Sequence, residues 1–401
     1  MFKLLFISLL LVPSLLAEAI KNIIVFGDSY SDVGNYQRLT NGPLWSENLA
    51  AAWDASLYSF AFSGAVCNNS VYPKQTSKQY IPSIEDQLEM YYHQNLNLNP
   101  QETVVAIWVG VNDIYKTFEM REGEQQANLK RVVDCISSNV RNARRIFSTN
   151  KFIVFGVPPL EKIPYYADSP LRLSREQAAN ELNEYLLKEV QKMNKHLQSV
   201  DIDFMDIHQL LDHIVQKPNS FNIKNAVDAY WDACQGQCSD DINSYVWWDK
   251  AHLTGGVHRL IADSIAQSGS FATEMEIPKD LDVNALLNNA DSKFKSPRYE
   301  AKANTGEIDR LIEKMNEEKQ MGNPNIKIDG EAEQEGITKE KGGINSYVYF
   351  GVAATVIVCI GFVLFNKRAK NRTSHLASLS NLLKKEDRGR FVPLRNIDSD
   401  V

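Results

Sequence analysis

Over most of this chain, short apolar runs alternate with longer segments of mixed polarity. Ile23 to Phe26, Val104 to Val109 and Phe152 to Phe155 are wholly apolar, and Ile202 to Met205 nearly so, a pattern of strands buried on both faces. Between them, Trp45 to Trp53, Ser83 to Asn95, Glu124 to Phe147, Ser174 to Gln198 and Gly255 to Gln267 repeat apolar residues at helical spacing. Strands separated by helices predict one α/β domain over residues 20–276, a three-layer α/β/α sandwich around a central parallel sheet.

The pattern changes at both ends. Residues 1–19 place Lys3 before an apolar stretch and close on Ala17-Glu18-Ala19, the form of a secretory signal peptide. Residues 347–365 carry no charge over about 28 Å of helix at about 1.5 Å per residue, enough for a single transmembrane helix. Lys367, Arg368, Lys370 and Arg372 follow directly, so residues 366–401 are expected as a cytosolic tail, with the large domain extracellular or lumenal. Residues 277–346 are rich in charge and poor in aromatics and are expected to be a largely disordered stalk. Within it, Ile308, Leu311, Ile312 and Met315 recur at helical spacing, as in a marginal solvated helix.

The net charge of −7 gives no basic surface for phosphates, which argues against nucleic acid as a partner. Four of the five cysteines, Cys67, Cys135, Cys234 and Cys238, lie in the part that meets an oxidising compartment. They allow three pairings; proximity favours Cys234 with Cys238, leaving Cys67 with Cys135. Asn68-Asn69-Ser70 is a glycosylation sequon on the same side.

Candidate chemistry gathers at strand ends. Phe26-Gly-Asp-Ser-Tyr-Ser-Asp-Val-Gly-Asn35 follows the first strand, so Ser29 lies where ligands meet a parallel sheet. Gly110-Val-Asn-Asp113 follows the second apolar run in the same way. Trp247-Trp-Asp-Lys-Ala-His-Leu-Thr254 precedes the last helix and sets Asp249 three residues from His252. A serine nucleophile needs a base of near-neutral pKa and an anion to orient that base. Taken singly, Gly-Asp-Ser reads as a helix cap and Asp-x-x-His as a surface ion pair.

Together these blocks resemble the GDSL, or SGNH, serine esterases and acylhydrolases. The likeness runs from about Ile23 to Ala266 and includes Gly64 in Phe60-Ala-Phe-Ser-Gly-Ala65 as the second block. Asp32, Gly34, Asn35 and Trp248 are similar to the secreted fungal and plant branch, and the tether together with the Gly64-to-Cys67 segment most resembles fungal carbohydrate acetylesterases. The resemblance implies a flavodoxin-like fold, Ser29 as nucleophile, His252 as base and Asp249 as its orienting acid. It also implies an oxyanion hole made by the backbone N–H groups of Ser29 and Gly64 and the amide of Asn112. One departure is Tyr30, which stands in place of the leucine after the serine; it is expected to alter packing or line the substrate pocket with Trp248.

No cofactor is implied, and His93, His196, His208, His213 and His258 form no metal-ligand spacing. Trp45, Trp231, Trp247 and Trp248 are candidates for a sugar platform. The expectation is thus a membrane-anchored esterase acting on acetylated carbohydrate. Its rivals are a lipase acting on lipid or other short-chain esters, and a non-catalytic surface binding protein of the same fold. Oligomeric state has no signature in the sequence.

Overall fold

A computed structural model describes residues 19–72, 79–120, 123–197, 199–235 and 237–322. The expected span 347–365, the tail and all but the last residue of the leader lie outside them. Among the described residues no helix is long and apolar enough to cross a membrane.

The chain opens with β1 (Asn22–Gly27), α1 (Trp45–Trp53), β2 (Ser56–Ser59) and α2 (Ile84–Tyr92). There follow β3 (Thr103–Trp108), α3 (Val111–Thr117), α4 (Gln125–Phe147) and β4 (Lys151–Phe155). Next come α5 (Arg172–His196), β5 (Asp201–Met205), α6 (Ile207–Gln216), β6 (Asn225–Ala229) and α7 (Tyr230–Cys234). The last elements are β7 (Tyr245–Trp247), α8 (Gly255–Gln267), α9 (Val283–Asn288) and α10 (Glu307–Gly322). Five strands form a parallel sheet in the order β2-β1-β3-β4-β5, and β6 pairs with β7 in a small second sheet.

The sheet is built where the apolar runs predicted it. Every residue of β3 is buried, and Val, Ile and Trp fill both of its faces. Helix α1 packs against α8, while α4 packs on both α2 and α5; right-handed crossovers set these two groups on opposite faces. In the order 2-1-3, the chain leaves β1 toward one edge and β3 toward the other. A crevice therefore opens between the carboxyl ends of β1 and β3.

The expected stalk does not begin at residue 277. Residues 277–322 lie as a strap against the domain, with Ile277, Val283 and Ile308 buried. The strap covers the edge of the sheet: the N–H of Leu57 donates to the Lys293 carbonyl and that of Ser59 to the Ser296 Oγ. Tyr299 stacks on Phe60 at 4.0 Å, and α10 packs on α4. Composition hid this because the strap is held mainly by backbone groups and by carboxylates of the domain, not by an apolar face of its own.

Candidate active site

Ser29 sits two residues beyond β1. The end of that strand is clamped by Gln87, fully buried on α2, whose amide accepts from the Gly27 N–H and donates to the Gly27 carbonyl. A side chain at position 27 would place its Cβ 2.7 Å from the Trp108 carbonyl, so only glycine lets β1 and β3 close here.

His252 lies on the loop between β7 and α8, which Thr254 ends by capping α8 with its hydroxyl. The His252 Nε2 is 3.0 Å from the Ser29 Oγ, and its Nδ1 is 2.8 Å from both carboxylate oxygens of Asp249. The Asp249 Oδ1 also accepts from the N–H groups of Ala251 and His252. Burial pushes the Asp249 carboxyl up, but the His252 ring and these two donors outweigh it and hold it below its ordinary value. An ionised carboxylate can only accept, so the imidazole proton resides on Nδ1 and the Nε2 lone pair faces the serine hydroxyl.

Gly64 and Asn112 meet on the other side of Ser29. The Asn112 Nδ2, at the start of α3, donates to the Ala65 carbonyl at 2.9 Å and leaves its second amide hydrogen for the crevice. Gly64 has φ +89°, and a Cβ there would stand 3.0 Å from the Ile81 Cδ1. Neither the Ser29 nor the Gly64 N–H finds an acceptor among the described residues. Ser29, Gly64 and Asn112 are all half-buried, so these donors remain accessible to a substrate oxygen.

Several neighbours fasten the Gly64 loop. Asp32 accepts from the N–H groups of Gly34, Asn35, Tyr36, Gln37 and Ser63, tying the segment after Ser29 to the residue before Gly64. Asn35 donates to the Ser59 and Ala61 carbonyls. Buried Asp113 accepts from the Cys67 N–H and the Tyr72 hydroxyl, and burial raises its carboxyl to about 6. A disulfide joins Cys67 to Cys135 on α4, and a second joins Cys234 to Cys238. Asp28 is fully buried and raised to about 8 by that burial with Asp113 and Asp32 near it; it holds its proton at neutral pH. The roles of Gln87 and Asp113 were missed in the sequence, where nothing marks a polar helix residue as aimed into the core.

Three other expectations change. Tyr30 does not line a pocket: it is 2% exposed, stacks on Trp108 and donates its hydroxyl to the Ala251 carbonyl at 2.7 Å, bracing the His252 loop. Trp45 and Trp247 are fully buried and offer no platform, whereas Trp231 is exposed and Trp248 half-buried. Asn68 is half-buried with its Nδ2 on the Glu85 carboxylate, so the nitrogen that would carry a glycan is engaged in the fold.

Among the described residues, one group brings metal-type ligands within 4.8 Å: Glu89, His93 and Glu307. Spacing could not show it, because Glu307 comes from the strap. Both Glu89 oxygens already accept from Thr305, Glu307 and Ile308, and the carboxylate serves as an anchor for the start of α10.

If Asn112 donates to the oxyanion, Asn112→Ala is expected to lower kcat by about 100- to 1,000-fold. The lost bond to Ala65 costs only about 1 kcal/mol of stability. Steady-state kinetics beside a thermal melt check both; unchanged kcat would remove Asn112 from the hole.

The sequence profile described as GDSL-like Lipase/Acylhydrolase matches residues 23–265. An acetylesterase of Hypocrea jecorina is 22% identical, the alignment covering 64% of this chain and 94% of that protein. A thermolabile hemolysin of Vibrio parahaemolyticus is 24% identical over 64% of this chain, a match that spans 66% of the hemolysin, just under two thirds. Among solved structures, an acetyl xylan esterase of Geobacillus stearothermophilus aligns with 64% of this chain and 99% of its own, at 12% identity and a TM-score of 0.35.

Proposed function

Because this chain belongs to the family of GDSL-like lipases and acylhydrolases and is an ester-hydrolysing enzyme, we propose that it is a serine esterase removing acetyl groups from carbohydrate. We propose further that it works outside the cytosol, held to a membrane by residues 347–365. The observation that carries the chemistry is the continuous line from Ser29 Oγ through the His252 ring to Asp249.

In this mechanism the Ser29 oxygen attacks the ester carbonyl carbon while His252 Nε2 takes the hydroxyl proton. Charge developing on the carbonyl oxygen is met by the N–H groups of Ser29 and Gly64 and the amide of Asn112. Collapse breaks the bond to the alcohol, which leaves with the proton from His252. Water, deprotonated by the same nitrogen, then attacks the acyl carbon; the bond to the Ser29 oxygen breaks and that oxygen takes the proton back from His252. Asp249 stays ionised throughout and stabilises the imidazolium. The acetyl preference rests on the resemblance to acetylesterases, including the Hypocrea jecorina protein.

The test is hydrolysis of nitrophenyl esters from acetyl to palmitoyl by the full chain. The expected result is release that falls steeply beyond the shortest acyl groups. A maximum at long chains would instead make the enzyme a lipase, and no release from a folded protein would favour a binding role.

A further inference from the structure

The loop that carries Asp249 and His252 also suspends two exposed aromatic rings. The Trp231 N–H donates to the Trp248 carbonyl at 3.1 Å, and the Tyr165 N–H donates to the Lys250 carbonyl at 2.9 Å. Residues 248 and 250 flank Asp249, so each ring is attached one residue to either side of it. Trp231 remains 58% exposed and Tyr165 64%.

Neither ring is left to swing freely. Trp231 meets Trp248 edge to face at 5.7 Å, and Trp248 stacks on Tyr230. The Cys234–Cys238 bridge closes the turn behind them. Tyr165 stands perpendicular to Tyr166 at 5.0 Å. Lys250, whose carbonyl holds Tyr165, pairs with Asp232, the residue after Trp231, at 3.6 Å, with both side chains more than half exposed.

We infer that Tyr165 and Trp231 form two ring-binding subsites for a neutral sugar chain, which holds the ester-bearing unit over Ser29. This rests on the esterase function proposed above and specifies its alcohol side. A pyranose ring offers an apolar face to an aromatic side chain and a rim of hydroxyls. The Lys250–Asp232 pair supplies a donor and an acceptor to that rim. An acyl chain or a lipid surface laid along the same path would strip water from both charges with nothing to replace it.

The test uses the full-length Ser29→Ala chain, which binds without turning over, in calorimetric titrations. The probes are partially acetylated hexaoses of xylose, mannose and glucose. Binding of at least one is expected, with Kd raised about tenfold by Trp231→Ala and by Tyr165→Ala, a change equivalent to about 1.4 kcal/mol each. Trp231→Phe and Tyr165→Phe keep a flat face and are expected to retain most of the affinity, which a purely structural role would not predict. Binding of no hexaose, or Kd shifts below about twofold in both alanine variants, overturns the subsites. So does binding to phosphatidylcholine vesicles that the alanine variants abolish. Failure of the esterase itself has a separate signature, nitrophenyl acetate release that Ser29→Ala leaves untouched.

Discussion

Ser29→Ala is expected to lower kcat/KM on nitrophenyl acetate by about 10,000-fold or more, with the melting temperature unchanged. Among the described residues the serine hydroxyl is the only group hydrogen-bonded to the His252 Nε2, at 3.0 Å, and the N–H groups of Ser29 and Gly64 have no acceptor there. The Ser29 side chain takes part in no other hydrogen bond among the described residues, so removing it leaves no buried partner unpaired. The residual rate should equal that of the double variant Ser29→Ala, His252→Ala, since a base without a nucleophile has no proton to take. Retained turnover in Ser29→Ala would mean that another group attacks the ester, and the role assigned to the His252 line would fall with it.

A chain ended at Glu276 is expected to be destabilised by about 5 kcal/mol or more relative to the intact protein, lowering its melting temperature by about 10–20 °C. That cut lies where composition alone ends the domain, and it removes the whole strap. Asp86 and Glu89, both nearly fully buried, would lose the N–H groups of Asn304, Thr305 and Glu307 that now satisfy them. Each hydrogen bond to a charged group lost in this way costs about 1.5–3 kcal/mol. Phe60 would lose the stacked ring of Tyr299, and the N–H groups of Leu57 and Ser59 would lie open on an edge strand, a template for aggregation. Activity should suffer too, because the Tyr299 N–H fixes Asn35, which ties down the Ser59 and Ala61 carbonyls ahead of Gly64. Melting curves of the two chain lengths decide the matter; a difference of under about 3 °C would show that the strap merely lies on the surface.

Much of the sheet could be read from the chain, because β1, β3 and β4 are short and nearly all apolar, β5 is short with three apolar residues, and all four stand between amphipathic helices. Strand β2 escaped notice: Ser56-Leu-Tyr-Ser59 is four residues long, with a serine at each end. Its outer N–H groups are satisfied by the strap, a partner more than 200 residues away. Helix α10 was legible as a helical repeat but not as a packed one, since Glu89 caps it from across the chain and, among residues 307–318, Ile308 alone is buried outright. For Tyr30 the sequence left altered packing and pocket lining both open, and its burial against Trp108, with the hydroxyl drawn to Ala251, decides for packing.

By itself, the sequence determined the fold class and the chemical groups at the site, because apolar periodicity dictates a buried parallel sheet and the motif blocks fall at its strand ends. The tertiary structure alone decided which residues meet. Ser29 and His252 are 223 positions apart and come within 3.0 Å only because the loop before α8 folds back over the end of β1. It also decided which tryptophans are core and which are surface, and that residues 277–322 pack on the domain. Those outcomes depend on burial and on partners distant in sequence, and no local pattern of residues encodes either.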